Sequence, residues 1–281
     1  MNAIKTIGGL AALTLTTTAT PVAHADAEAA PEQPAVPTEA VVSEKKSPLS
    51  VTLAMDILSD YMWRGKICNG NPVWQPSATV GYDTGAYGSL AANIWSSFDL
   101  THTRGTATHS RRDAGLQEID YGLMYDVELA GIGLEIGHIW YTYPNNNGPS
   151  DQELYATVSY DNPFATPSAS VYWNYSTSAG NDASSLYCTA GLSHEFALSD
   201  EFKLTPSATL GFGGNAWTGC GNELTDQTVG LAASYALCDN VTLGAQINYT
   251  WIPSHTLRKA NYMGEGKDQL CWGGVNVSVS F

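Results

Sequence analysis

The residues best equipped for chemistry in this chain are carboxylates recurring on the polar side of alternating segments, with few cations to meet them. Asp56, Asp60 and Arg64 share the polar side of a first segment that runs from Leu49 toward Trp63. A guanidinium between carboxylates forms charge-assisted pairs that can hold a loop or narrow an opening. The same residues read equally as a structural ion pair at a rim. Glu118, Asp120, Asp126, Glu135, Glu153, Asp161 and Glu195 continue this polar side in later segments, and Lys203 is a lone opposing charge. A passage lined by carboxylates raises the local cation concentration and disfavours anions, although Asp126 and Asp161, near segment ends, read equally as solvated groups. Trp95, Tyr155, Tyr172 and Tyr187 fall on the same side and would narrow or fill an interior.

Covalent and metal chemistry are poorly served. His138 and His194 are followed two residues later by Trp140 and Phe196, so the His and Ser two apart that mark outer-membrane phospholipases are missing. The segment Asp99 to Gly115 carries His102, Arg104, His109, Arg111, Arg112 and Asp113. These could meet lipid phosphates or cap an opening, and a solvated loop is the plainer reading. No carboxylate or cysteine follows the two histidines at ligand spacing, so neither a metal nor a cofactor is expected. The cysteines at 68, 188, 220, 238 and 271 form no C-x-x-C pair.

The elements that must position these side chains follow from composition and periodicity. Only 14% of the 281 residues are charged, with 27 acidic against 12 basic, well under the ~25% usual for a soluble domain. The net charge of −15 repels a phosphate backbone and excludes nucleic acid as a partner. Lys5, the uncharged run from Ile7 to Ala19 and the small-residue site Ala23-His24-Ala25 form a secretory signal over residues 1–25. Residues 26–48, rich in Ala, Pro and Glu, cannot bury a core and read as a periplasmic leader.

From Leu49 to Phe281 the pattern is period two. Val51, Leu53, Met55 and Ile57 oppose Thr52, Ala54 and Asp56, and the rhythm recurs through about twelve segments of about ten residues, the length of a tilted membrane-spanning strand. Short turns at Thr84-Gly85, Ala130-Gly131, Asn162-Pro163, Ser199-Asp200 and Asp239-Asn240 alternate with longer connections. This predicts an all-β fold: a closed antiparallel transmembrane β-barrel with short periplasmic turns and longer extracellular loops. Closure is required because hydrocarbon leaves an open sheet edge unsatisfied. Aromatic residues gather at both ends of the segments as two candidate interfacial girdles. One holds Tyr61, Trp63, Trp74, Trp140, Trp173, Tyr175, Tyr249 and Trp251, the other Tyr82, Tyr125, Tyr160, Phe196 and Tyr235. Pro76 and Pro206 sit awkwardly inside strand patterns, where a ladder hydrogen bond is lost.

Closure also sets the first and last strands side by side. Cys68 and Cys271 then share the outer rim and are the preferred disulfide pair. Val277, Val279 and Phe281 resemble the C-terminal signal read by the barrel assembly machinery, which implies that machinery, outer-membrane lipid and lipopolysaccharide as partners. Ser59-Asp60-Tyr61-Met62-Trp63-Arg64-Gly65, followed by Pro72, resembles the opening of the TorF-type outer-membrane porins, matching at Ser59, Asp60, Tyr61, Trp63, Arg64, Gly65 and Pro72. The resemblance covers about the first two strands and implies a channel-like barrel in the outer membrane of a Gram-negative-type bacterium. The expected function is passive diffusion of small polar solutes or ions with a weak cation preference, lined by Asp56, Asp60, Arg64, Glu118, Asp120, Glu135, Glu153, Tyr155 and Tyr172. The competing reading is a structural or adhesive barrel whose lumen is filled by side chains.

Overall fold

The computed structural model describes residues 47–101, 115–144, 150–177 and 184–281. The chain runs through β1 (Leu49–Leu58), the short β2 (Tyr61–Trp63) and β3 (Lys66–Asn69), β4 (Val73–Asp83), β5 (Ser89–Asp99), β6 (Leu116–Leu129) and β7 (Ile132–Thr142). It continues through β8 (Asp151–Tyr160), β9 (Thr166–Thr177), β10 (Ser185–Ser193), the two-residue β11 (Phe196–Ala197), β12 (Phe202–Gly213), β13 (Glu223–Cys238), β14 (Val241–Trp251) and β15 (Gln269–Ser280). The helical segments named below, α1 (Asn215–Thr218) and α2 (His255–Lys259), lie in loops.

Twelve strands, β1, β4 to β10 and β12 to β15, form one antiparallel sheet. It closes because β1 pairs with both β4 and β15, and β10 pairs with both β9 and β12. No helix among the described residues is long and apolar enough to cross a membrane. The outward positions of the strands are apolar and exposed, including Leu53, Met55, Ile57, Ile94, Leu123, Ile136, Leu154, Val171, Leu231, Ile247 and Val275. In water this encircling surface would be a large unpaid exposure; in a bilayer it faces hydrocarbon. Inward positions alternate with these and are polar, as the pleat requires.

The Ala130-Gly131 turn between β6 and β7 has φ of 55° and 80°, the two-residue geometry that matches strand twist. Pro76 lies between β4–β5 bridges at Trp74↔Phe98 and Ser77↔Trp95, where the ladder carries none. Pro206 pairs with Leu231 on β13.

The first strand departs from the expected pattern. β1 ends at Leu58, and Tyr61, Met62 and Trp63 are all buried. Tyr61 and Trp63 therefore do not belong to the outer girdle. The chain leaves the wall at Ser59 and folds β2 and β3 into the lumen as a hairpin, because these rings gain more from mutual burial than from the interface. Trp140, Trp173, Tyr175 and Tyr249 remain on the outer surface at that end, and Tyr82, Tyr160, Phe196 and Tyr235 at the other. His138, on the outer face, bonds the Tyr175 hydroxyl at 2.9 Å, and that hydroxyl donates to Gln152 at 2.9 Å.

The hydrophobic core lies inside the outer mouth. Leu58, Tyr61, Trp63, Val73, Trp95, Tyr187 and Trp217 form one cluster, and Met62, Ile67, Ile252, Leu257 and Met263 form a second. The hairpin thus packs between the wall and two loops. Ser254 caps α2 by accepting from the Leu257 N–H at 3.2 Å, which fixes the loop that supplies Leu257 and Met263.

Candidate functional site

The site is the hairpin tip and the lumen wall it meets. Trp63 pairs with Lys66, so Arg64 and Gly65 form a two-residue turn, with φ of 48° and 76°. Left-handed backbone is uncommon for a non-glycine residue and carries a modest cost. Gly65 is required for space as well: a Cβ there would stand 2.7 Å from the Asp226 Cβ.

The turn aims Arg64 at β8. Its Nη1 donates to Glu153 Oε2 at 2.8 Å and its Nη2 to Oε1 at 2.7 Å, with side-chain exposures of 7% and 1%. This is a bidentate pair in a largely dry setting, where geometry decides whether the charges repay their lost hydration. The guanidinium also lies 4.1 Å from the Tyr172 ring centroid, 4.5 Å from Trp63, 4.7 Å from Tyr187 and 5.3 Å from Trp217. Each face adds cation–π attraction.

Arg64 therefore does not pair with Asp56 or Asp60. Once the chain leaves the wall after Leu58, the shared parity of these residues no longer holds. The tip crosses to a strand five places round the barrel from β1. Asp56 stays in the wall opposite Asn276 and Gln75, and Asp60 is buried in the bend before β2.

Three wall segments shape the socket. On β6, Glu118 and Asp120 point inward, and the Tyr61 hydroxyl donates to Glu118 Oε2 at 3.0 Å. Between β7 and β8, the Tyr141 hydroxyl donates to Glu153 Oε1 at 2.8 Å. Tyr155, Tyr172 and Tyr187 form a cross-strand row with centroids 5.7 and 6.1 Å apart. Gly137, opposite Tyr155, leaves the room this ring occupies. The Tyr187 hydroxyl donates to Asp226 at 3.0 Å.

The loops finish the enclosure. Trp217 Nε1 donates to the Tyr262 hydroxyl at 2.7 Å, which donates to the Arg64 carbonyl at 3.1 Å. Lys66 Nζ sits over the rings of Trp217 and Tyr262 at 4.5 and 4.9 Å. Burial pushes this ammonium down to about 8, and neighbouring Arg64 adds to the shift.

Arg64, Glu118, Asp120, Glu153, Tyr155 and Tyr172 are thus brought together at the outer half of the lumen. Glu135 lies toward the short-turn end, opposite Asp126. Val277 lies on β15, and Val279 pairs with Val241 near the rim where Phe281 is exposed.

Cys68 and Cys271, the expected disulfide pair, are not joined in the structure. Cys68 packs inside against the aromatic cluster, while Cys271 is exposed on β15 opposite Tyr249, so the wall stands between them. Residues 1–46, with the expected signal and most of the expected leader, and residues 102–114, with His102, Arg104, His109, Arg111, Arg112 and Asp113, lie outside the described residues. Sequence reasoning missed Tyr141 and Asp226, although their inward parity on β7 and β13 was legible. Trp217 and Tyr262 sit in loops with no periodicity to announce them.

Residues 42–269 match a protein family described as a bacterial protein of unknown function (Gcw_chp). The chain belongs to this family. No curated protein matches it. Among solved structures it is similar to an outer membrane channel from Pseudomonas putida F1, at 9% identity and a TM-score of 0.51, covering 84% of this chain and 96% of that one. It is also similar to the KdgM porin in complex with disordered oligogalacturonate, at 8% identity and a TM-score of 0.45, covering 83% and 99%. A third similarity is to outer membrane phospholipase A from Escherichia coli, at 14% identity and a TM-score of 0.46, covering 82% and 92%. At 9% identity the likeness to the Pseudomonas putida F1 channel shows the fold, a closed antiparallel β-barrel of the outer-membrane type.

Proposed function

We propose that this barrel is a porin-like channel for passive diffusion of ions or small polar solutes, with an aperture set by the inserted hairpin and no chemistry performed on the solute. The observation that carries this reading is the contrast along the lumen. Below the hairpin the inward residues are small and polar, including Thr79, Asn93, Thr157, Ser170, Thr189, Thr209, Thr228, Asn248 and Asn276, and all are only half-buried. A lumen packed solid would bury them. At the outer mouth, by contrast, Tyr61, Trp63, Gln75, Glu118 and Glu153 are buried. The barrel reads as a solvated vestibule closed to a narrow passage by one folded-in loop.

A weak cation preference follows from the vestibule's charges, since Asp56, Asp126 and Glu135 face inward there. Lys203, the basic residue at the short-turn end, is already paired with Glu195 at 2.8 Å. The resemblance of the Ser59–Gly65 segment to TorF-type porins supports the same function. Val277, Val279 and Phe281 fit a role in recognition by the assembly machinery.

A structural or adhesive barrel is favoured by one observation: Met62, Ile67, Ile252, Leu257 and Met263 close the mouth with a hydrophobic contact. Planar-bilayer recording on the purified full chain separates the two. The channel reading expects conductance above background and a reversal potential favouring cations in a salt gradient. Silence from both the wild type and the hairpin-releasing Glu153→Gln variant would leave only the structural role.

A further inference from the structure

Two buried carboxylates on β6 lack the partners that their burial demands. Glu118 and Asp120 are two residues apart on one strand, so both point into the lumen, and each is 2% exposed. Tyr61 serves one oxygen of Glu118. Glu118 Oε1 and both carboxylate oxygens of Asp120 have no donor from another residue, and the two carboxyls stand within hydrogen-bonding reach of each other. The two cations of the hairpin are engaged elsewhere, Arg64 with Glu153 and Lys66 with the Trp217 and Tyr262 rings. Buried Asp151 adds a further carboxylate to the same wall, aligned with Asp120 through Tyr141.

A buried carboxylate with no donor must acquire a proton or a cation. One shared proton would satisfy two of the three orphan oxygens and leave the third bare. A hard cation accepts all three, since calcium-class ions take 6–8 oxygen ligands, with carboxylates in either mono- or bidentate mode. We propose that Glu118 and Asp120 form a binding site for an oxygen-seeking divalent cation of the calcium class, at the level where the hairpin meets the wall.

No group of three or more His, Cys, Asp or Glu side chains among the described residues gathers as a metal centre. The protein therefore supplies these two carboxylates. Such sparse protein ligation gives weak, exchangeable binding, near the ~10⁻⁴–10⁻³ M range of low-affinity extracellular calcium modules. The site is independent of the channel reading, because an occupied cradle would also brace a closed mouth.

The neighbouring rings provide the assay. Trp95 is the register partner of Asp120, and its ring centroid lies 5.7 Å from that of Tyr61, which bonds Glu118. These chromophores can sensitise emission from terbium(III), a luminescent stand-in for calcium. Titrating the detergent-purified full chain with terbium chloride is expected to give saturable emission on tryptophan excitation, displaced by calcium chloride. Asp120→Asn and Glu118→Gln should each weaken binding at least tenfold, while Asp56→Asn, altering a carboxylate opposite Asn276, should leave it unchanged. Both site substitutions remove an unpaired charge, so the folded barrel should persist, as far-ultraviolet circular dichroism would verify. Absence of sensitised emission in the wild type, or binding by Asp120→Asn within twofold of wild type, would overturn the proposal. So would a protonated-carboxyl infrared band that persists in saturating calcium and disappears in Asp120→Asn. None of these readouts involves conductance, so failure of the cation site and failure of the channel reading are distinguishable.

Discussion

Replacing Glu153 with Gln tests whether the Arg64 pair holds the hairpin in the lumen. The substitution keeps the volume and leaves an oxygen for the Tyr141 hydroxyl, but it strands a guanidinium that is 7% exposed. Removing one member of a buried pair costs about 3–5 kcal/mol. The four aromatic faces around Arg64 remain, and desolvated cation–π contacts of about 1–2 kcal/mol offset part of that loss. A net weakening of about 3 kcal/mol is therefore expected, and at about 1.4 kcal/mol per factor of ten the released population rises ~10²-fold. Cys68 lies on β3 and packs against the aromatic cluster, so its reaction with a maleimide too bulky for the docked mouth reports that population. With Cys188, Cys220, Cys238 and Cys271 changed to Ser, the labelling rate should rise ~10²-fold in Glu153→Gln. The Arg64→Met/Glu153→Met double variant should return most of the way to wild type, because apolar replacement of both partners leaves no stranded charge. A rate within twofold of wild type in Glu153→Gln, or simple additivity in the double variant, would refute the reasoning.

Gly65→Ala should also release the hairpin, since it places a Cβ at φ of 76° and 2.7 Å from Asp226. A cost of about 1–2 kcal/mol from backbone handedness alone predicts a roughly tenfold rise in Cys68 labelling. Lys66 predicts a pH effect. Its ammonium is pushed below the ordinary lysine value to about 8 when docked, so between about pH 8 and 10.5 the released state binds more protons than the docked one. Stability of the docked state should therefore rise with pH across that window. The thermal midpoint of the wild type is expected to gain on that of Lys66→Met from pH 7 to pH 9.5, and a constant difference would contradict the burial of this group. The unjoined cysteines predict that electrophoretic mobility is unchanged by reductant and that denatured, unreduced protein takes five maleimide labels; three labels would reveal a bridge.

Strand number, strand parity and the rim at which each turn lies were determined by the sequence itself. Alternation is a local, binary property, and the bilayer enforces it at every position: Leu123 must face lipid and Asp120 cannot. The short turns expected at Ala130-Gly131, Ser199-Asp200 and Asp239-Asn240 fall between β6 and β7, β11 and β12, and β13 and β14. What only the tertiary structure decided is where the alternation stops having meaning. Tyr61 and Trp63 continue the parity of β1 in the written sequence, yet the wall ends at Leu58 and both rings pack inside. Arg64 then finds a carboxylate 89 residues away, and no local spacing encodes a contact across the lumen. Cys68 and Cys271 share a rim in topology but lie on opposite sides of the wall. In each case the deciding quantity is which surface a loop can bury once the barrel has closed, and that surface exists only after twelve strands have come together.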